Sequence, residues 1–103
     1  MERNMTESRL PPIHPGEILR EEYLKPLTMS AGALAKHLNV PRTRIERLVS
    51  EETGVTPDTA LRLARFFSTT PDFWMAMQTG YDLALAQAEK SDVLAAIKPL
   101  QAA

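Results

Sequence analysis

The chain has 103 residues, of which 44% are hydrophobic and 24% are charged, and its formal net charge is −1. This size and balance fit one compact domain with a core of its own. The chain has no cysteine, which excludes disulfides and thiolate metal sites.

The sequence also lacks the signals of a membrane protein or an enzyme. No apolar run is long enough to span a bilayer, and Met1-Glu2-Arg3-Asn4 does not resemble a signal peptide, so we expect a cytoplasmic protein. His14 and His37 have no carboxylate at a telling spacing, and we find no phosphate-binding loop or nucleophile motif. We therefore expect no catalytic residue, no bound metal and no cofactor.

Residues 1–12 are polar and predict a flexible arm. The first helix should begin at Pro15 with His14 as its cap, and Ile13 can contact Ile18 as a hydrophobic staple. It should end near Pro26. Its inward face is predicted to consist of Ile18, Leu19 and Leu24.

Residues 30–49 predict two short helices joined by a tight turn. Ser30 can cap the first of them, and Asn39-Val40-Pro41 breaks it because proline disfavours a helical residue before it. The spacing of the apolar residues gives each helix one buried face. These residues are Leu34, Ala35 and Leu38 in the first helix and Ile45, Leu48 and Val49 in the second.

The second of these helices is basic at its N-terminal end. In a helix-turn-helix that end enters the DNA major groove, where arginine can grip guanine. We expect Arg42, Thr43, Arg44 and Arg47 to contact DNA, with Ser30 and Lys36 positioned on phosphate. The same twenty residues are also compatible with an ordinary helical hairpin whose basic face is solvated. For Lys36, a solvated surface lysine is an equally good interpretation.

Two further helices have matching start signals. Thr56-Pro57-Asp58 and Thr70-Pro71-Asp72 each combine a cap, a proline at the first position and an acid. The fourth helix should bury Leu61, Leu63, Ala64 and Phe67, and the fifth should run to about Lys90. A sixth, capped by Ser91-Asp92, should cover residues 93–98 in a C-terminal tail of residues 91–103.

The fifth helix carries apolar residues on two faces, whereas a surface helix needs only one. One face can therefore pack on the domain and the other on a second copy, so we expect a homodimer. Aromatic residues are enriched at interfaces, and the predicted contacts are Phe73, Trp74, Met77 and Tyr81. In the alternative interpretation all of these residues serve a single core.

Several separated motifs resemble one family. They are residues 13–19 (Ile-His-Pro-Gly-Glu-Ile-Leu), Leu34-Ala35 with Leu38 and Val40-Pro41, Arg44-Ile45, residues 56–64, and Pro71-Asp72-Phe73-Trp74 with Gln78 and Tyr81-Asp82-Leu83. Over residues 12–90 the chain resembles the HigA/VapI group of antitoxins within the Cro/cI-type (XRE) helix-turn-helix family. The resemblance implies an all-α, five- or six-helix Cro/cI-like (lambda repressor-like) domain spanning residues 13–90. It also implies an antitoxin that neutralises a RelE-like, mRNA-cleaving toxin and represses its own operon at an inverted-repeat operator.

The chain departs from this family after the second helix of the motif. Where relatives have a turn such as Asn-Gly-Lys, this chain has Ser50-Glu51-Glu52-Thr53, and carboxylates repel phosphate. Two alternatives remain open at this stage. One is a stand-alone transcriptional regulator without a toxin, and the other is a protein-binding module that has lost DNA binding.

Overall fold

The computed structural model describes residues 12–101, and every regular element in that range is a helix. This confirms the all-α prediction. Except for Pro12, the predicted arm of residues 1–12 lies outside the described residues. The helices are α1 (residues 15–27), α2 (Ala31–Leu38), α3 (Arg42–Val49), α4 (Pro57–Phe67), α5 (Pro71–Glu89) and α6 (Ser91–Ala96).

Helix α1 begins as its sequence predicts. The backbone N–H of Gly16 donates to Nδ1 of His14 at 2.8 Å, so His14 is the cap. The helix ends at Leu27, next to the predicted end near Pro26, and it includes that proline. Proline lacks an N–H and crowds the carbonyl four residues back, and a wider π-helical segment, Leu19–Leu24, ends two residues before Pro26. That segment lets the chain pass Pro26 without breaking.

Gly16 allows α1 to pack closely on α3. A Cβ atom at this position would lie 1.9 Å from the carbonyl oxygen of Leu48, much closer than any carbon can approach. The close approach places the first turn of α1 directly against the last turn of α3. It therefore fixes how the second helix of the motif sits on the domain.

One hydrophobic core joins helices α1 to α5. Its fully buried members include Leu19, Leu34, Ile45, Leu48, Leu63 and Trp74. The prediction that Leu61 is buried is wrong, since it is 59% exposed beside Arg62 and Arg65 on the outer side of α4. Three other residues predicted to be buried are only half-buried, namely Ile18, Val49 and Phe67. The caps Thr56 and Thr70 are confirmed, since their hydroxyls accept the N–H groups of Thr59 and Phe73.

The C-terminal part of the chain extends away from the core. Helix α6 starts at Ser91 and ends at Ala96, slightly earlier than predicted, and its cap position is Lys90 without a side-chain capping bond. The predicted Ser91-Asp92 cap is therefore wrong, because α6 follows α5 after a single residue. Every residue from Gln87 to Gln101 is exposed. Among the described residues no helix is both long and apolar enough to cross a membrane.

Candidate nucleic-acid interface

Helices α2 and α3 form a compact helix-turn-helix. Asn39 adopts the left-handed conformation (φ 58°) that ends α2, and the Val40 N–H donates to the Ala35 carbonyl at 3.1 Å. Asparagine tolerates this conformation better than most residues. The two helices meet through buried apolar residues of the core, namely Leu34, Leu38, Ile45 and Leu48. The predicted break at Asn39-Val40-Pro41 is therefore the turn of the motif.

The predicted DNA-contacting residues lie in two shallow depressions that share α3. The first is lined by Ser30 at the cap of α2, Lys36 in the last turn of α2, and Arg42 at the start of α3. Thr43, Arg44 and Arg47 line the second, between α3 and the start of α4. All six residues are exposed. Ser30 also caps α2, because its hydroxyl accepts the Ala33 N–H at 3.0 Å.

Each arginine of α3 faces a carboxylate of the same chain, and of the three pairs only Arg42–Glu46 has the helical spacing that a sequence can predict. Arg42 Nε lies 3.2 Å from the Glu46 carboxylate, one helical turn away. Arg44 Nη1 lies 2.5 Å from Asp58, and Arg47 Nε lies 3.7 Å from Glu52. These pairs are exposed, so each contributes little to stability, and each arginine can exchange its carboxylate for another anion.

Asp58 joins α3 to α4 and α2. Its Oδ2 also accepts from Arg62 Nε at 3.0 Å, and Arg62 Nη1 donates to the Leu38 carbonyl at the end of α2. Arg44, and after it Arg62, holds the pKa of the Asp58 carboxyl below its usual value. The four-residue spacing of Asp58 and Arg62 on one helix could have been predicted from sequence. The contact with Arg44 depends on how α3 packs on α4.

The acidic loop after α3 is tied to the chain's own cations. Glu51 lies 3.2 Å from Arg20 Nη2, and Arg20 Nη1 also donates to the Val49 carbonyl. Hydrogen bonds to Glu21 first, and then to Glu51, raise the pKa of Arg20. Glu51 has φ 66° and occupies the left-handed position just past the end of α3, where glycine is the usual residue. The carboxylates of Glu51 and Glu52 are thus partly neutralised by Arg20 and Arg47 of the same chain.

The residues predicted for a dimer interface separate into different environments. Trp74 is fully buried in the domain core, so its assignment to an interface is wrong. Met77 packs against the same core, and the Tyr81 ring meets His14 edge-on at 4.8 Å. Phe73 is 39% exposed and touches Trp74 with its edge. The structure thus favours the single-core alternative for Trp74 and leaves Phe73 the most available of the four.

Comparison with known proteins identifies the family to which this helix-turn-helix belongs. The helix-turn-helix family profile matches residues 21–74, slightly more than half of the chain. The chain belongs to the helix-turn-helix family. Virulence-associated protein I of Dichelobacter nodosus is 53% identical over 87 residues, which cover 84% of this chain and 81% of that protein.

Solved structures place the chain within this family. It superposes on the Pseudomonas aeruginosa antitoxin HigA, solved with the higBA promoter, with a TM-score of 0.85 and 43% identity, covering 87% of this chain and 99% of that one. The antitoxin GraA, solved in complex with its operator, gives a TM-score of 0.84 and 42% identity over 90% of this chain and 95% of that one. The chain is thus a member of the HigA/VapI group of the XRE-type family, which comprises DNA-binding regulators and antitoxins rather than enzymes.

Proposed function

We propose that this chain is the antitoxin of a type II toxin–antitoxin module and that it represses its own operon by binding operator DNA as a homodimer. One observation carries the proposal. The exposed face of α3 displays Arg42, Thr43, Arg44 and Arg47 on a helix-turn-helix whose fold matches operator-bound antitoxins over most of its length.

In the proposed docking, the N-terminal end of α3 enters the major groove. Arg44 and Arg47 exchange their carboxylates for guanine edges, where a good bidentate contact is worth about 1–3 kcal/mol. Ser30 caps α2 and Lys36 lies in the last turn of α2, and both line the first depression with Arg42. The free N–H groups at the start of α2 and the Lys36 ammonium would contact phosphates. Arg42 and Thr43 then lie close to the bases or the backbone.

A second copy would cover the exposed apolar side chains of the C-terminal region. Phe73, Leu83 and Leu85 of α5 are 39–54% exposed, and Val93, Leu94 and Ile97 in and after α6 are 49–62% exposed. Two-fold symmetry would place the two α3 helices one DNA turn apart, about 34–36 Å. The operator should therefore be an inverted repeat. Sedimentation tests the dimer: Leu83→Glu should shift it towards monomer, and an unchanged dimer would refute this interface.

A salt titration tests DNA binding. The chain should bind the DNA upstream of its own gene far more tightly than random DNA, and binding should weaken steeply with salt because it releases counterions from phosphates. Footprinting should show two protected half-sites related by a dyad. Equal affinity for upstream and random DNA would refute operator recognition.

The toxin part of the proposal is tested separately. A small open reading frame beside the gene should encode a RelE-like ribonuclease, and its expression should stop growth unless this chain is co-expressed. The two proteins should copurify. If operator binding is present while no neighbouring toxin exists, the stand-alone regulator is the correct function.

One observation favours a second candidate, a protein-binding module without DNA binding. Glu46, Asp58 and Glu52 pair with all three arginines of α3. A face neutralised in this way attracts phosphate less than a basic one. This candidate predicts that the chain binds neither upstream nor random DNA at low salt while it still captures the toxin.

A further inference from the structure

The loop between α3 and α4, residues 50–56, is held by a side chain from outside the helix-turn-helix. Oε1 of Gln78 on α5 accepts the backbone N–H of Val55 at 2.7 Å, and Nε2 of Gln78 donates to Asp82 at 2.9 Å. Val55 is 4% exposed, so its N–H is shielded from water and needs a protein partner. The two bonds together fix the orientation of the Gln78 amide.

The fit between the loop and this amide is close. A Cβ atom at Gly54 would lie 2.6 to 2.8 Å from the atoms of the Gln78 amide. A side chain at residue 54 would therefore push the Gln78 amide away from its position under the loop. The absence of a side chain at Gly54 thus leaves room for the bond between Gln78 and Val55.

The clamped loop leads directly to the carboxylates that hold the α3 arginines. Val55 precedes Thr56, the cap of α4, and Asp58 in the first turn of α4 pairs with Arg44. Glu52, in the same loop, lies 3.7 Å from Arg47. A shift of the loop would therefore move the partners of two arginines that are proposed to read DNA.

We propose that Gln78 is a positioning residue for operator binding, through which α5 controls the positions of Arg44 and Arg47 on the DNA-contacting face of α3. This inference rests on the proposed function. It also links two surfaces of the chain, because α5 carries the exposed apolar residues that a second copy would cover. A change in the packing of α5 is thereby transmitted through Gln78 to Arg44 and Arg47.

The test replaces Gln78 by methionine, which keeps the length of the side chain and removes both hydrogen bonds. Gln87→Met is the matched control, because Gln87 is exposed near the end of the same helix. A loosened loop occupies the binding-competent conformation only part of the time, and apparent affinity falls by that fraction. We expect Gln78→Met to bind operator about tenfold more weakly, with a smaller loss on random DNA, and Gln87→Met to match the unmodified chain.

A rescue separates this role from a general loss of stability. Gln78→Glu keeps the acceptor for Val55 but places a second carboxylate beside Asp82, so affinity should fall. Combining Gln78→Glu with Asp82→Asn supplies a new donor for that carboxylate and should restore operator affinity. Amide hydrogen exchange at Val55 should become faster in Gln78→Met and return towards the original rate in the double variant.

The outcomes distinguish this inference from the proposed function. An unmodified chain that binds no upstream DNA overturns the proposed function, and this inference falls with it. An unmodified chain that binds operator while Gln78→Met binds equally well overturns this inference alone. If Gln78→Met fails to fold, the Glu variants decide: restored Val55 protection without restored operator affinity also overturns the inference.

Discussion

Replacing Glu52 by lysine should strengthen DNA binding by a similar factor on operator and on random sequences. Glu52 lies 3.7 Å from Arg47, and both side chains are about 60% exposed, so losing their ion pair should barely change the free energy of unfolding. The substitution removes a carboxylate that repels phosphate and adds a cation to the loop. Both changes favour phosphate, and phosphate contacts carry no sequence information.

The magnitude follows from counterion release. One additional phosphate contact steepens the slope of log affinity against log salt by about 0.9. Between 50 and 200 mM salt, the advantage of the variant over the original chain should therefore shrink about 3.5-fold. Fluorescence anisotropy with labelled operator and random duplexes, titrated at several salt concentrations, measures both quantities.

Glu89→Lys is the matched control. It makes the same change in net charge at an exposed position at the end of α5, far along the chain from the helix-turn-helix. It should leave the salt slope unchanged. Equal effects of the two substitutions, or no effect of Glu52→Lys, would mean that the loop does not face the DNA backbone, and the proposed docking would be wrong.

Three further predictions test the exposed face of α3 that is proposed to contact DNA and the packing that supports it. Arg44→Ala should cost about 1–3 kcal/mol on operator and much less on random DNA; equal losses would assign Arg44 to phosphate. Asp58 has a lowered pKa in the folded chain, so its ion pairs stabilise the fold above pH of about 4 and are lost as pH falls through the folded value. Urea unfolding should show a weaker acid dependence for Asp58→Asn, and an unchanged dependence would contradict this. Gly16→Ala should destabilise the fold by about 1–3 kcal/mol or more, because its methyl group would overlap the Leu48 carbonyl; an unchanged melting temperature would contradict that packing.

The burial of Trp74 restricts which experiments can test the proposed dimer. Truncation after Thr70 would remove this fully buried side chain, which fills the core and donates to Thr69 at 2.8 Å. Such a truncation would disrupt the fold along with any interface. Substitutions at exposed Leu83 or Leu85 test the interface while leaving the core intact.

The helices and their order follow from local sequence signals, because each helix start is encoded within a few residues. His14, Ser30, Thr56 and Thr70 cap their helices as predicted, since a cap bonds to an N–H group two or three residues away. The turn at residues 39–41 is equally local. These signals, with the apolar spacing, were sufficient to predict the helix-turn-helix and the exposed basic residues on α3.

Which groups those basic residues contact depends on how the helices pack against one another. Leu61 lies at the edge of the apolar stripe of α4, and packing rather than periodicity places it in solvent. Arg44 meets Asp58 across fourteen residues of chain, and Gln78 reaches Val55 across twenty-three. Contacts of this kind depend on the angle and separation of packed helices, which are set by the whole core and by the close approach at Gly16. For that reason Asp58 as the partner of Arg44, and Gln78 as the partner of Val55, could be identified only from the folded chain.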